Sequence, residues 1–76
     1  MNVEEQVKEI VASVSGVDVS EVTTQSAIGD FPQWDSMGQM AILQQIEETF
    51  GIAFEPEEMM EIEDVNDIIV AVESKI

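Results

Sequence analysis

The stretch SMGQMAILQQIEETFG, residues 36–51, predicts a long helix, because its apolar residues recur at helical spacing. Those residues are Met37, Met40, Ala41, Leu43, Ile46 and Phe50. Gly51 is expected to end the helix, since glycine readily adopts the left-handed conformation found there, and Ile52 then packs back on Ile46. We therefore expect a helix that begins at about Ser36 and buries one side.

Three further segments with helical character flank this helix. The first lies between Asn2, a favourable N-cap, and Gly16, a favourable stop. Its single apolar stripe consists of Val3, Val7, Ile10, Val11 and Val14. After the long helix, Pro56 favours the start of a short third helix over about 56–62, and a fourth helix follows Asp64 and extends to Ile76. All four segments therefore predict helices, and no strand pattern of useful length competes with them.

The predicted fold is all-α. It is a small four-helix bundle with three longer helices, one short helix and a long loop between helices 1 and 2. The 76 residues make a single domain, 1–76. The loop, residues 17–35, contains apolar residues such as Val22 and Phe31 that can attach it to the core, so we expect an ordered crossover and not a flexible linker.

The composition excludes several classes of function. The 17 acidic residues far outnumber Lys8 and Lys75, and the formal net charge is −15. A chain with this charge has no basic face for nucleic acid or anionic lipid. Without histidine or cysteine it cannot form a Ser-His-Asp or Cys-His catalytic unit, or a structural zinc site. We therefore expect a small acidic domain that does not perform catalysis alone.

The start of the chain predicts a cytoplasmic location. The first five residues lack the basic region and the long apolar run of a signal peptide. No stretch approaches the length of a membrane span. We therefore expect a cytoplasmic protein that does not insert into membranes.

The segment FPQWDSMGQ, residues 31–39, places the only tryptophan beside an Asp-Ser pair where the loop enters the second helix. Two interpretations of the pair stay open. In the first, the pair is local helix chemistry, because Ser36 with Gln39 matches a capping box and Asp35 is another favourable cap. In the second, a phosphodiester attached to the Ser36 hydroxyl is stabilised by the helix dipole, and Asp35 helps to hold a divalent metal while a separate enzyme attaches the group.

Over nearly its whole length the chain resembles the acyl carrier proteins. The matching features are the capped first helix ending at Gly16, the long acidic loop, Asp35-Ser36-Met37, the helix end at Ile46–Ile52, Pro56-Glu57-Glu58 and the closing helix from Val65. Members of that family carry a 4′-phosphopantetheine arm on the serine of an Asp-Ser-Leu motif. The resemblance implies that Ser36 carries this covalent cofactor, that Asp35 supports it, and that the protein is a substrate of other enzymes and not itself an enzyme.

The resemblance also implies a function and partners. A stand-alone carrier holds an acyl or aminoacyl group as a thioester on the arm and presents it to biosynthetic enzymes. The implied partners are a phosphopantetheinyl transferase, an acyl- or aminoacyl-activating ligase and acyl-transferring enzymes, and the carrier itself is a monomer. The residues expected to contact partners are Met37, Gln39, Met40, Glu47 and Glu48. For each of these residues the alternative is a solvated helix face, which is the favoured explanation for the two glutamates, and Met40 also fits the core.

Three positions depart from the family pattern. Met37 replaces the usual leucine, a change that conserves volume. Gly38 and Ala41 occupy positions that are often acidic in fatty-acid carriers, where they meet basic patches on partner enzymes. The Trp-Asp-Ser stretch is similar to stand-alone carriers that work with dedicated enzymes, and Asp-Ser-Met-Gly is similar to D-alanyl carrier proteins. The cargo therefore stays open between fatty, polyketide-like, aminoacyl and hydroxy-acid groups.

Two further expectations concern the core and the charge. In fatty-acid carriers the bundle can open to shelter an acyl chain, and flexible methionines suit such a cavity. The residues expected to line it are Met37, Met40, Met59 and Met60. Seven acidic residues between Glu55 and Asp67 predict diffuse cation binding that stabilises the fold. The alternative to a carrier is an acidic helical interaction module, in which Ser36 is only a helix cap.

Overall fold

Four helices and one short turn make up the regular structure of the computed structural model, which describes residues 2–76. Helix α1 spans Val3–Ser15, α2 spans Ser36–Phe50, α3 spans Pro56–Glu61 and α4 spans Val65–Glu73. A 3-10 turn at Val19–Glu21 lies between α1 and α2. An isolated bridge joins Ala27 to Asp64. The predicted all-α bundle, with three longer helices, one short helix and a long first loop, is confirmed.

Capping residues set the ends of α1 and α2. The side-chain oxygen of Asn2 accepts a hydrogen bond from the backbone N–H of Glu5 at 2.8 Å, as predicted. Gly16 and Gly51 follow the two helices with φ of 71° and 66°, a left-handed conformation that other residues adopt at a cost. The chain therefore leaves both helices sharply, and the residues after each glycine return to the core.

The buried core comes from every part of the bundle except α3, from which only the half-buried Met59 packs against it. Its largest fully buried side chains are Trp34, Ile42, Ile46 and Ile68. None of the residues of α3 is buried, although Ile62 directly after it is. The short helix therefore packs at the edge of the bundle, while α1, α2 and α4 surround the core.

The long loop between α1 and α2 is an ordered crossover. A capping box closes its 3-10 turn, and the side chains of Val22 and Trp34 are buried in the core. Further along, the backbone N–H of Val65 donates to the carbonyl oxygen of Ser26 at 2.9 Å, which joins the loop to the start of α4. The prediction of an ordered loop is confirmed.

All four helices are short, and two end earlier than predicted. The backbone of Ile62 is extended, so α3 ends at Glu61. Helix α4 ends at Glu73, which leaves Ile76 beyond the helix and 67% exposed. The longest helix, α2, has 15 residues. No helix within residues 2–76 combines the length and the apolar character needed to cross a membrane.

Candidate functional site at the start of α2

Ser36 is the first residue of α2, and its side chain is exposed. The cap is the residue before it, because a carboxylate oxygen of Asp35 accepts a hydrogen bond from the backbone N–H of Gly38 at 2.9 Å. Within residues 2–76 no hydrogen bond involves the Ser36 hydroxyl. The predicted capping box of Ser36 with Gln39 is therefore wrong, and the predicted Asp35 cap is confirmed. This arrangement leaves the serine hydroxyl free for chemistry.

The positive end of α2 lacks acidic side chains in its first turn. The other helices carry them there: Glu4 and Glu5 in α1, Glu57 and Glu58 in α3, and Asp67 in α4. The backbone N–H groups of Ser36 and Met37 have no acceptor among the described residues. Unpaired N–H groups at a helix start attract anions. In a strongly acidic chain, this helix start is therefore a favourable place for a negatively charged group.

The loop before α2 touches the first turn of the helix at Gly38. A Cβ atom at this position would lie 2.1 Å from the backbone oxygen of Gln33 and 3.1 Å from its carbonyl carbon. Contacts this short do not occur between unstrained atoms, so no side chain fits there unless the loop moves. This contact explains why position 38 is glycine here, although it is often acidic in fatty-acid carriers.

A buried hydrogen-bonded bridge joins Trp34, Gln39 and Ile62. The Nε1–H of Trp34 donates to the side-chain oxygen of Gln39 at 2.7 Å, and the Nε2 of Gln39 donates to the carbonyl oxygen of Ile62 at 2.9 Å. These partners fix the orientation of the amide, since an indole N–H only donates and a carbonyl oxygen only accepts. Because Gln39 is 8% exposed, its predicted place on the docking face is corrected: the side chain lies inside the bundle.

Three of the methionines predicted to line an interior cavity lie on the surface instead. Met37 and Met40 on α2 are 81% and 71% exposed, and Met60 on α3 is 82% exposed. Met59 is half-buried and packs against the core. On α2, Met37 and Met40 follow Ser36 by one and four residues, so they form an apolar surface next to the serine.

The two glutamates predicted on the docking face have different environments. Glu48 is exposed. Glu47 is half-buried, and its carboxylate accepts a hydrogen bond from the backbone N–H of Phe54 at 2.8 Å. The carbonyl oxygen of Glu47 also accepts from Gly51 and Ile52. Glu47 therefore holds the turn that follows α2, whereas Glu48 remains free at the surface.

A cavity of about 310 Å³ lies between α2 and α3. It is lined by Met40, Leu43, Gln44, Glu47 and Met59. Residues three and four apart share one face of a helix, so Met40, Leu43 and Glu47 continue the stripe that begins at Ser36. The cavity therefore extends along the same face of α2 as the serine.

The perturbed carboxylates lie away from Ser36. The backbone N–H of Ser20 holds the pKa of Asp18 below its usual value. The backbone N–H of Glu55 likewise lowers the pKa of Glu58, and the Lys75 ammonium adds to this effect. Among residues 2–76 no group of three or more acidic side chains is arranged to hold a metal ion. Diffuse cation binding to the acidic segment therefore stays a prediction.

Comparison with known proteins gives the family. A family model described as a phosphopantetheine attachment site matches residues 5–72. An acyl carrier protein of Solidesulfovibrio magneticus is 35% identical over 75 residues, which cover 99% of this chain and 96% of that protein. An acyl carrier protein of an Exiguobacterium species is 33% identical over 70 residues, or 92% of this chain and 89% of that protein. The bundle and these matches define a phosphopantetheine-binding carrier. The chain belongs to the acyl carrier protein family.

Family membership gives the general function. The protein is a carrier and not a catalyst, and its prosthetic group is a covalently attached 4′-phosphopantetheine. A phosphopantetheinyl transferase and biosynthetic enzymes are the general partners of such a protein. The start of α2 fits this group, because it offers an exposed serine hydroxyl and unpaired backbone N–H groups.

Two features near the site are not predicted by the sequence. The first is the contact between Gly38 and the Gln33 carbonyl. The glycine itself is the signal in the sequence, because a glycine inside a helix often marks a close approach of another backbone segment. The second is the bridge from Trp34 through Gln39 to Ile62. Tryptophan is often buried, so its position before the helix is a signal for part of the bridge. No feature near it in the sequence identifies Ile62 as the third partner, because Ile62 lies 23 residues beyond Gln39.

Proposed function

We propose that the protein carries an acyl or aminoacyl group on a 4′-phosphopantetheine arm attached to Ser36 and presents it to partner enzymes. The single observation that carries this assignment is the separation of roles at the start of α2. Asp35 caps the helix, so the neighbouring Ser36 hydroxyl is exposed and makes no hydrogen bond within residues 2–76. The match of residues 5–72 to a phosphopantetheine attachment family supports the presence of such an arm on this chain.

The residues around Ser36 have separate roles in this proposal. The Ser36 oxygen bonds to a phosphorus atom of coenzyme A, the bond from that phosphorus to 3′,5′-adenosine bisphosphate breaks, and the hydroxyl proton passes to a base of the transferase. The N–H groups of Ser36 and Met37 and the dipole of α2 stabilise the resulting negative charge. Asp35 fixes the first turn of the helix and contributes a carboxylate next to the reacting oxygen.

When bound, the prosthetic group supplies a thiol that holds the cargo as a thioester. The chain provides the position of the arm and the surface that partners recognise. We assign the partner-docking surface to Met37, Met40 and Glu48, which are exposed and lie on α2. The implied partners are the transferase, an activating ligase and acyl-transferring enzymes, and the carrier acts as a cytoplasmic monomer.

The test is the intact mass after incubation with a broad-specificity phosphopantetheinyl transferase, coenzyme A and Mg²⁺. The wild type should gain the mass of one phosphopantetheine, and Ser36→Ala should gain none. Ser13→Ala, which changes an exposed serine of α1, is the matched control and should gain it normally. A folded wild type that gains nothing, or a Ser36→Ala variant that gains the group, would overturn the assignment.

Asp35→Asn separates the two roles of Asp35. Asparagine is also a good N-cap, so the free energy of unfolding of the variant should lie within about 0.5 kcal/mol of the wild-type value. The loss of the charge should slow modification of Ser36 by the transferase. An unchanged rate of modification would show that Asp35 acts only as the cap.

A further inference from the structure

Helix α3 is weakly anchored in the bundle. It has six residues, and none is buried. Met59 packs against the core, and two polar contacts fasten the helix: the Lys75 ammonium lies 2.9 Å from Glu58, and the Gln39 amide donates to Ile62, the residue after the helix. The ion pair is partly exposed, and such pairs contribute little in water. The buried bond from Gln39 is therefore the stronger of the two.

This bond is part of the bridge that links three elements. Trp34 comes from the loop, Gln39 from α2, and Ile62 follows α3. A buried polar group that loses its partner is strongly destabilised, because no water replaces the lost bond. Moving α3 away from α2 therefore breaks a buried hydrogen bond and leaves both of its groups without partners.

The interior next to the bridge is filled by side chains. Trp34, Ile42 and Ile46 are fully buried and form one apolar cluster with Ile62. Close-packed cores admit additional methylene groups only when side chains or backbone shift. The cavity between α2 and α3 that is lined by Met40, Leu43 and Met59 lies outside the bridge, since no bridge residue lines it. An alkyl chain that goes beyond this cavity into the core must break the bridge and displace part of this cluster.

We propose that the Trp34–Gln39–Ile62 bridge closes the bundle to the cargo, so that this carrier holds its cargo outside the core. The cargo class that follows is a short or polar acyl or aminoacyl group, because a long alkyl chain kept out of the core gains no stabilisation from burial there. Gln39 is then a specificity-determining residue that acts through the position of α3. This inference rests on the proposed attachment at Ser36.

A first test uses the unmodified protein and does not depend on Ser36. Gln39→Met keeps the length of the side chain and removes both hydrogen bonds, and Gln45→Met, at an exposed position of α2, is the matched control. The backbone N–H groups of Met59 and Ile62, which are hydrogen-bonded within α3, should exchange with solvent about tenfold faster in Gln39→Met than in the wild type. Exchange in α1 and in the control should not change.

A second test uses the holo protein loaded with an octanoyl group, with loading verified by intact mass. In the wild type, the NMR signals of the Trp34 indole and of the Ile42 and Ile46 methyl groups should be the same in the holo and octanoyl forms. In Gln39→Met they should shift on octanoylation. If that variant does not fold, Gln39→Glu keeps an acceptor for the Trp34 indole N–H and removes the donor to the Ile62 carbonyl oxygen, so it breaks the bond that holds α3.

The outcomes are distinct. Core shifts in the octanoylated wild type would overturn the proposal that the core is closed. The absence of core shifts in the bridge variant, or unchanged exchange of its α3 amides, would overturn the role of Gln39. If the wild type takes up no phosphopantetheine, the proposed attachment at Ser36 is wrong. The role of the bridge in holding α3 is still tested by the exchange experiment, which uses the unmodified protein.

Discussion

The Lys75 ammonium lies 2.9 Å from a carboxylate oxygen of Glu58 and so connects the C-terminal residues to α3. The same carboxylate group accepts a hydrogen bond from the backbone N–H of Glu55 at 2.9 Å. The hydrogen bond and then the ion pair lower the pKa of Glu58. Its ionised form is therefore favoured in the folded protein.

Glu58→Gln should lower the melting temperature in a pH-dependent way. Because the pKa of Glu58 is lowered on folding, its contribution is complete above the pKa of an unfolded glutamate, about 4.3. It is lost as the pH falls through the lower pKa of the folded state. Thermal melts of wild type and variant between pH 3 and 7 should therefore differ most near neutral pH and converge in acid. Glu57→Gln, at an exposed neighbouring position, is the control, and a difference that persists at pH 3 would contradict this explanation.

Gly38→Ala should destabilise the fold, although alanine normally favours a helix by about 1 kcal/mol over glycine. The new Cβ meets the Gln33 carbonyl oxygen at 2.1 Å, and overpacking of this kind costs about 1–3 kcal/mol. In a domain of this size each 1 kcal/mol lowers the melting temperature by about 4–8 °C. The variant should also be modified more slowly by the transferase, because the loop before Ser36 moves. Thr49→Ala, exposed near the other end of α2, should change neither quantity, and a Gly38→Ala variant more stable than the wild type would refute the steric argument.

Charge reversal at Glu47 and at Glu48 should have different consequences. The sequence pattern predicts the same surface position for both glutamates, but their environments in the structure differ. Glu47→Lys removes the acceptor for the Phe54 N–H and should cost about 1–3 kcal/mol, whereas Glu47→Gln retains a carbonyl acceptor and should recover much of that loss. Glu48→Lys should stay within about 0.5 kcal/mol of the wild type and slow acyl transfer from a partner enzyme. Unchanged transfer kinetics in Glu48→Lys would remove this residue from the docking surface.

Added salt should stabilise the protein. The formal net charge is −15, and the longest extent of the molecule is 27 Å. At 0.01 M salt the Debye length is about 30 Å, so every carboxylate repels the others, while at 1 M it is about 3 Å. The melting temperature should therefore rise gradually with NaCl, and MgCl2 should act by the same diffuse mechanism. A sharp, saturable response to Mg²⁺ would indicate a specific site, and an unchanged melting temperature would contradict the repulsion argument.

The helix ends could be predicted from the sequence because their causes are local. Asn2 bonds to a residue three positions away, and Gly16 and Gly51 take the conformation that ends a helix. The same local rules offered both Asp35 and Ser36 as caps for α2. The choice between them depends on the backbone conformation at residue 35, which the three-dimensional path of the loop determines.

The positions of Gln39 and Glu47 could not be predicted because their partners are distant in sequence. Gln39 bonds to Ile62, 23 residues away, and Glu47 bonds to Phe54 across a turn. A glutamine or glutamate on an amphipathic helix is ordinarily solvated, so the pattern alone assigns it to the surface. The packing of α3 and its neighbouring turns against α2 brings Gln39 to the Ile62 carbonyl oxygen and Glu47 to the Phe54 N–H.

The assignment of the cap to Asp35 has a consequence for repeated use of the protein. A helix whose cap is also its point of attachment would lose a stabilising bond each time that residue was modified. Here the bond from the Gly38 N–H to Asp35 is independent of Ser36. With the arm on Ser36 as proposed, the empty, loaded and discharged forms keep the same cap, and passage through a cycle of modification and transfer requires no refolding of α2.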